Sequence, residues 1–395
     1  MRCDIESPLA QTAAGATAQA VLSACVHCGM CNATCPTFHL TGDEADGPRG
    51  RIYLIKQALE GYPISRLTQT HLDRCLSCRA CETTCPSGVE YHRLLDVGRA
   101  VVAEKVRRAW PDRLYRWAIR TVVPSVALVA PLVAAGRLIG KIPAKTPART
   151  SSTGTHARRM TLLKGCVQSA AATHFNAATT RVFDAVGVEL HETPGVGCCG
   201  ALHAHLDAPD AARRLARTNI DAWIADFDAG AEAVVVNASG CAAFIRDYPD
   251  VLADDLDYAV KARRVVERLR DPVEILRDTP PKSTRAPRDP RIAVHDPCTL
   301  RNGPGLGGAV AKLLAGLGYD PQPAADPHMC CGSAGAYSLL QPDFAKRLRA
   351  EKLATLTAGA PSAIYTANIG CWLHLSETSP VPVRHWIEAV DEVVG

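Results

Sequence analysis

At 395 residues, 47% of them hydrophobic and 21% charged, the chain is long enough for two or three domains with apolar cores and has the composition of a soluble globular protein. A net charge of +4 is too small to argue for nucleic acid as a partner. Seventeen cysteines in a reducing compartment point to metal or redox chemistry rather than a disulfide framework.

Met1 to Ala24 holds one early arginine and lacks the basic and apolar regions of a secretory signal, so the chain reads as cytoplasmic. A tight run follows, Cys25-x-x-Cys28-x-x-Cys31-x-x-x-Cys35-Pro36, and it recurs as Cys75-x-x-Cys78-x-x-Cys81-x-x-x-Cys85-Pro86. Three cysteines at this spacing wrap their thiolates around one pocket, as a cubane [4Fe–4S] cluster requires. The fourth, followed by proline, is carried out of that pocket, and in two-cluster proteins it ligates the other cluster. The expected ligand sets are therefore crossed: Cys25, Cys28, Cys31 and Cys85 on one cluster, Cys35, Cys75, Cys78 and Cys81 on the other. The rival reading is a zinc-bound structural scaffold, but zinc sites pair two C-x-x-C hooks, and a third cysteine at the same spacing has no place in one. Helical patterns over Arg49–Glu60, His92–Arg108 and Pro111–Thr121 dominate this part, and strand-like runs are scarce. The first domain is taken as residues 1–140.

Its end is unusual. Arg107, Arg108, Trp110, Arg113, Tyr115, Arg116, Trp117 and Arg120 precede Thr121–Gly136, an uncharged stretch interrupted by Pro124 and Pro131. Sixteen residues fall short of the ~20 that a membrane span needs, and the prolines are expected to break the helix. Basic residues with tryptophans beside an apolar stretch suit peripheral contact with a membrane surface. Burial against the fold or a partner subunit is the plainer alternative.

Two Pro-rich stretches, Lys141–Arg159 and Asp278–Pro290, read as linkers and leave domains at 160–277 and 291–395. These two are repeats. Cys166, Cys198-Cys199-Gly200 and Cys241 return as Cys298, Cys330-Cys331-Gly332 and Cys371, at offsets of 132, 132 and 130 residues. Each repeat opens with a strand (Met160–Gly165, Arg291–His295). Later come a long helix (Asp210–Phe227, Pro342–Gly359) and a buried strand (Ala233–Ala238, Ala363–Ala367). Alternating strands and helices predict two small α/β units with parallel strands, the outer cysteines at strand ends where ligands bind. The Cys-Cys-Gly turns are expected to aim both sulfurs into one site. Inert buried cysteines are the alternative, against which the repetition argues. The glycine-rich stretch Gly303–Gly308 lacks dinucleotide spacing and reads as a turn before a helix. Nothing in the sequence reads as a flavin, nicotinamide or nucleotide site, so no catalytic residue is assigned, and chemistry on an organic substrate would belong to a partner. His203 and His205 flank the first Cys-Cys-Gly turn, and His295 and His328 sit near the second; they read as polar residues at a site rim, or as groups that tune a cluster's potential.

Several resemblances gather on these residues. The N-terminal part resembles the helical ferredoxin domains of succinate dehydrogenase iron–sulfur subunits. The wide triplets resemble the cysteine-rich "CCG" domains of heterodisulfide reductase subunits, which hold unusual iron–sulfur clusters and normally end in C-x-x-C. Here Cys241-x-x-Phe244 and Cys371-x-x-His374 stand instead, so each site offers four cysteines, with His374 a candidate extra ligand. The second repeat is favoured as the occupied one, because His295, His328 and His374 accompany its cysteines. Through Gly47–Gln57, Arg74–Leu95 and Thr366–Val390 the chain resembles the iron–sulfur subunits of bacterial glycolate oxidase over nearly its whole length. The corresponding subunit of anaerobic glycerol-3-phosphate dehydrogenase shares both cysteine patterns. The resemblance implies two [4Fe–4S] clusters, with one or two further clusters in the CCG domains. It also implies an FAD-containing partner that oxidises glycolate, and quinone or another acceptor beyond.

Overall fold

In the computed structural model, residues 1–6, 9–144, 146, 154 and 156–394 are described. They form two compact units, Met1–Arg116 with His328–Leu348, and Trp117–Pro327 with Arg349–Gly395. This cut differs from the three-part division expected from sequence. Helix Trp110–Val122 runs across it, and part of the second cysteine repeat counts with the first unit. The predicted linker Lys141–Arg159 lies partly outside the described residues.

The first unit is helical, with no strand among its described residues. Helix Pro48–Leu59 starts on a proline, whose fixed φ suits the first helical position, and it buries Ile52, Ile55, Ala58 and Leu59. Helix Tyr91–Lys105 buries Leu94, Leu95 and Val102. These faces meet Leu22 of helix Ala13–Ala24 and Leu72 of helix Arg66–Asp73 in one core. Cys3, outside both cysteine patterns, is buried in that core. The two tight cysteine runs lie between the helices, each closing in a short turn, Met30–Thr34 and Ala80–Thr83.

The second unit contains two four-stranded parallel sheets of identical topology. The first has the order β2-β1-β3-β4, with β1 Arg158–Leu162, β2 Val188–His191, β3 Val234–Val235 and β4 Leu269–Arg270. The second has the order β6-β5-β7-β8, with β5 Arg291–His295, β6 Asp320–Gln322, β7 Ala363–Thr366 and β8 Val383–His385. The two strands expected in each repeat are the central pair. The outer strands were not legible, being two to four residues long and, in β6, interrupted by Pro321.

The two sheets share one core, in which Val182, Phe183 and Val235 pack with Ile292, Tyr365 and Trp386. The same pairing of elements occurs twice with the repeats exchanged: helix Thr173–Ala185 against Trp386–Val394, and helix Pro272–Asp278 against Ala309–Gly316. Arg181 clamps Asp391 across the first pair at 2.8 and 2.5 Å. Ser239 N donates to the Ala367 carbonyl and His385 Nε2 to that of Asn237, at 3.1 and 2.9 Å. These contacts join the two repeats into one unit.

Three expectations need correction. Pro124 does separate helices Trp110–Val122 and Val126–Leu138, bent by 100°, but Pro131 lies inside the second helix instead of breaking it. The stretch Asp278–Pro290 is anchored, since Thr284 N donates to the Val393 carbonyl and Arg285 Nε to that of Glu392. Cys241 and Cys371 sit in the first turns of helices Ser239–Arg246 and Ile369–Ser376, one step beyond the strand ends. The glycine-rich stretch is a turn as expected: Gly308 caps helix Ala309–Gly316 and donates its N–H to Asp296 Oδ2 at 2.7 Å.

Candidate metal centres

The first unit holds two adjoining thiol-lined cavities. Cys25, Cys28, Cys31 and Cys85 line one, and Cys35, Cys75 and Cys78 line the other. Cys81, Pro48 and Tyr91 face both and form the shared wall. The electrostatic neighbours repeat this grouping: Cys31 feels Cys25, Cys85 and Cys28, while Cys81 feels Cys78, Cys75 and Cys35. Burial pushes the Cys31 thiol up to about 11 and the Cys81 thiol well above its ordinary value. Thiols this buried keep their protons unless a cation compensates the thiolate, as a metal site does.

Backbone geometry fits the same group. His27 and Gly29 in the first loop, and Ser77 and Arg79 in the second, occupy corresponding positions and all have positive φ, between 53° and 84°. Three of the four are not glycine, a conformation that persists only where the surroundings impose it. Two loops of different sequence thus adopt one tight wrap around four sulfurs each, the donor set a cubane cluster takes.

Behind the second cavity lies a polar hub that the sequence reading missed. Asp46, fully buried, accepts from His71 Nδ1 at 2.8 Å and Arg74 Nη1 at 2.9 Å, with Arg51 Nη2 at 3.6 Å. Arg51, 1% exposed, also donates to the His71 carbonyl and to Thr37 Oγ1, and extends Nη1 toward Cys35 Sγ at 4.0 Å. Tyr91 places its hydroxyl 3.9 Å from Cys75 Sγ, and Arg99 holds the carbonyls of Leu72 and Cys75. One signal pointed there: Arg51 falls on the apolar stripe of its helix, in register with Pro48, Ile55 and Ala58. The Cys330-Cys331-Gly332 turn belongs to this unit too. Within it, burial and the Cys75 and Cys330 thiols push the Tyr337 phenol up.

The first wide triplet lies wholly in the second unit, and all four of its sulfurs meet. Strand order reverses between β1 and β3, opening a crevice at their carboxyl ends where open α/β sheets bind ligands. Cys166 follows β1 and Cys241 follows β3, so both flank that crevice. Cys166 and Cys198 bring their sulfurs to 3.6 Å, and the Cys199 thiol is within hydrogen-bonding reach of Cys198 and Cys241, all of them free cysteines. The Cys166 and Cys199 thiols and the Gly200 amide, 3.4 Å from Cys198 Sγ, hold that sulfur toward the thiolate. Beside it, the buried Nδ1 of His203 has no partner. Phe244, in the position of the missing fifth cysteine, packs on Cys199 and edge-on against His205 at 5.9 Å.

The second triplet repeats the turn: the Gly332 amide lies 3.4 Å from Cys330 Sγ, and Gly332 has φ +90° against +92° at Gly200. In both, a Cβ would press on a carbonyl of the following long helix, Ala212 O or Ala345 O, so glycine is required twice over. Cys330, Cys331 and His328 lie in the first unit, Cys298, Cys371, His295 and His374 in the second. His295 is buried against Thr366 Oγ1 at 2.9 Å, and the backbone carbonyl of His374 accepts from Arg349.

Thiol-lined cavities in a helical unit, and cysteines at the switch points of paired parallel sheets, are the marks of an iron–sulfur protein built to carry electrons. A family described as a 4Fe-4S dicluster domain matches residues 21–89, and one described as a cysteine-rich domain matches 160–246 and again 292–376. The chain is 46% identical over 404 residues to the glycolate oxidase iron-sulfur subunit of Escherichia coli K12, covering all of this chain and 99% of that protein. It is 28% identical to the "Probable glycolate oxidase iron-sulfur subunit" of Bacillus subtilis 168, over 89% and 87% of the two chains. Lactate utilization protein A of Bacillus licheniformis is 24% identical over 59% of this chain and 99% of its own. The chain belongs to the family of glycolate oxidase iron–sulfur subunits.

Proposed function

We propose that this chain is the electron-transfer subunit of a complex whose FAD-containing partner oxidises glycolate to glyoxylate, with quinone or another acceptor beyond. Full-length identity to the E. coli subunit carries the reading, and the two adjoining thiol cavities supply its physical basis. Cys25, Cys28, Cys31 and Cys85 would hold one [4Fe–4S] cluster, and Cys35, Cys75, Cys78 and Cys81 the other. Such clusters, when bound, accept and release single electrons. Cys166, Cys198, Cys199 and Cys241, with the orphaned nitrogen of His203 beside them, would hold further iron. Cys298, Cys330, Cys331 and Cys371 are proposed for the same role by the repeat.

Anaerobically purified chain should contain clearly more than the roughly eight irons of two cubane clusters, and should not oxidise glycolate alone. Adding the flavoprotein partner should start glycolate-dependent dye reduction. Glycolate turnover by the isolated chain would overturn the division of labour, and activation by glycerol 3-phosphate instead would overturn the substrate.

Among the described residues no single helix is long and apolar enough to cross a membrane. The bent pair Trp110–Val122 and Val126–Leu138 nevertheless exposes Trp110 (71%), Trp117 (52%), Leu132 (59%) and Leu138 (89%), with Arg107 and Arg113 also exposed. Aromatic and aliphatic side chains flanked by arginines suit an anionic lipid surface at the inner face of the cell membrane. The full chain should bind phosphatidylglycerol vesicles with a blue shift of tryptophan emission, weakened by salt, and Trp110→Ala with Trp117→Ala should remove most of it. Equal binding to uncharged vesicles, or none to either, would assign this face to a partner subunit.

A further inference from the structure

The two thiol cavities are unequally equipped. At the second, Arg51 Nη1 reaches toward Cys35 Sγ at 4.0 Å and the Tyr91 hydroxyl toward Cys75 Sγ at 3.9 Å. Both distances are long for hydrogen bonds to sulfur, but the groups are buried, Arg51 to 1% and Tyr91 to 5% exposure. Arg79 lines the same cavity, and Arg99 sits on the Cys75 carbonyl at 2.8 Å. Of the carboxylates nearby, Asp46 is shared among Arg51, His71 and Arg74, and Glu82, an electrostatic neighbour of Cys81, pairs with His92; the guanidinium groups of Arg51, Arg74, Arg79 and Arg99 outnumber them.

At the first cavity no side-chain donor reaches Cys25, Cys28, Cys31 or Cys85 among the described residues. Its one lining guanidinium, Arg49, is one-third exposed and held by both oxygens of Glu44 at 2.6 and 3.0 Å. Water also favours added negative charge, and this cavity is the more open, with Cys28 and Val26 exposed. A buried charge acts roughly fourfold more strongly than one facing bulk water, however, so the donors at the second cavity outweigh that solvation.

We infer that Arg51 and Tyr91 make the Cys35–Cys75–Cys78–Cys81 pocket the more readily reduced of the two. Donors and positive charge at the sulfurs stabilise the additional negative charge of the reduced state and so raise the reduction potential. Both act as positioning residues, through the thiolates. The inference rests on the eight cysteines holding two cubane clusters.

The test is an EPR-monitored redox titration of the full chain, purified anaerobically, beside iron and sulfide analysis of the same preparation. Two midpoints should resolve. Tyr91→Phe removes only the hydroxyl and should shift the more positive midpoint downward while leaving the other unmoved. Arg51→Lys, which keeps the charge but loses the fork, should shift the same midpoint. A shift of the more negative midpoint, of both together, or of neither in Tyr91→Phe overturns the inference while iron stays at roughly eight or more per chain. Iron near four per chain in the unmutated protein would instead sink the two-cluster reading, and the inference with it.

Discussion

Anaerobically purified Cys85→Ser protein should lose the iron bound beside Cys25, Cys28 and Cys31, about half of what the two cavities hold together. Cys85 stands sixty residues from Cys25 yet lines the same cavity and is an electrostatic neighbour of Cys31. Serine offers a harder and far less acidic donor, so the fourth iron would lack its thiolate. The loop Cys75–Cys81 nearest in sequence should keep its iron, because its fourth sulfur is Cys35. Cys35→Ser should give the mirror result. Iron and sulfide counts with EPR of both variants decide the matter: loss confined to the Cys75–Cys81 site in Cys85→Ser would show that ligation is not crossed.

The second large effect is expected at Asp46. Its carboxylate is fully buried and is the common acceptor for His71 and Arg74, with Arg51 close by. Asp46→Ala would leave the buried Arg51 guanidinium, and the partly buried one of Arg74, without their counter-charge. Removing one partner of a buried ion pair costs about 3–5 kcal/mol, because the surviving charge stays desolvated. Asp46→Asn should cost less, since the amide oxygen still accepts one hydrogen bond. Chemical denaturation of the iron-loaded protein measures the difference, and iron analysis should show the second cavity failing before the first. A loss under about 1 kcal/mol for the alanine variant would mean that the hub does not brace this cavity.

Helix Pro48–Leu59 shows why some of this was legible and some was not. Its apolar spacing announced the helix, and the prolines after Cys35 and Cys85 announced where each loop departs. Arg51 looked like one more basic residue in Pro48-Arg49-Gly50-Arg51, told apart from Arg49 only by its place on the apolar stripe of the helix. The first is 1% exposed against a thiol cavity, and the second is paired with Glu44 at the surface. In the first cysteine-rich repeat, His203 is visible in sequence beside the Cys-Cys-Gly turn, but only the fold shows its buried Nδ1 left without a partner next to Cys198.

What the sequence determined by itself is the pattern of candidate donors: the number of cysteines, their loop spacing, the glycines after each cysteine pair, and the duplication of an α/β unit. These follow from local rules, because a C-x-x-C-x-x-C loop and a Cys-Cys-Gly turn carry their geometry within a few residues. Only the tertiary structure decided which distant groups stand beside those sulfurs. Arg51, Asp46, His71 and Tyr91 come from four separate segments, and the shared core of the two sheets joins residues more than a hundred positions apart. Helix packing in the first unit and parallel crossovers in the second set those meetings. They set the charge and burial around each thiol, the two quantities that tune the potential of a cluster held there.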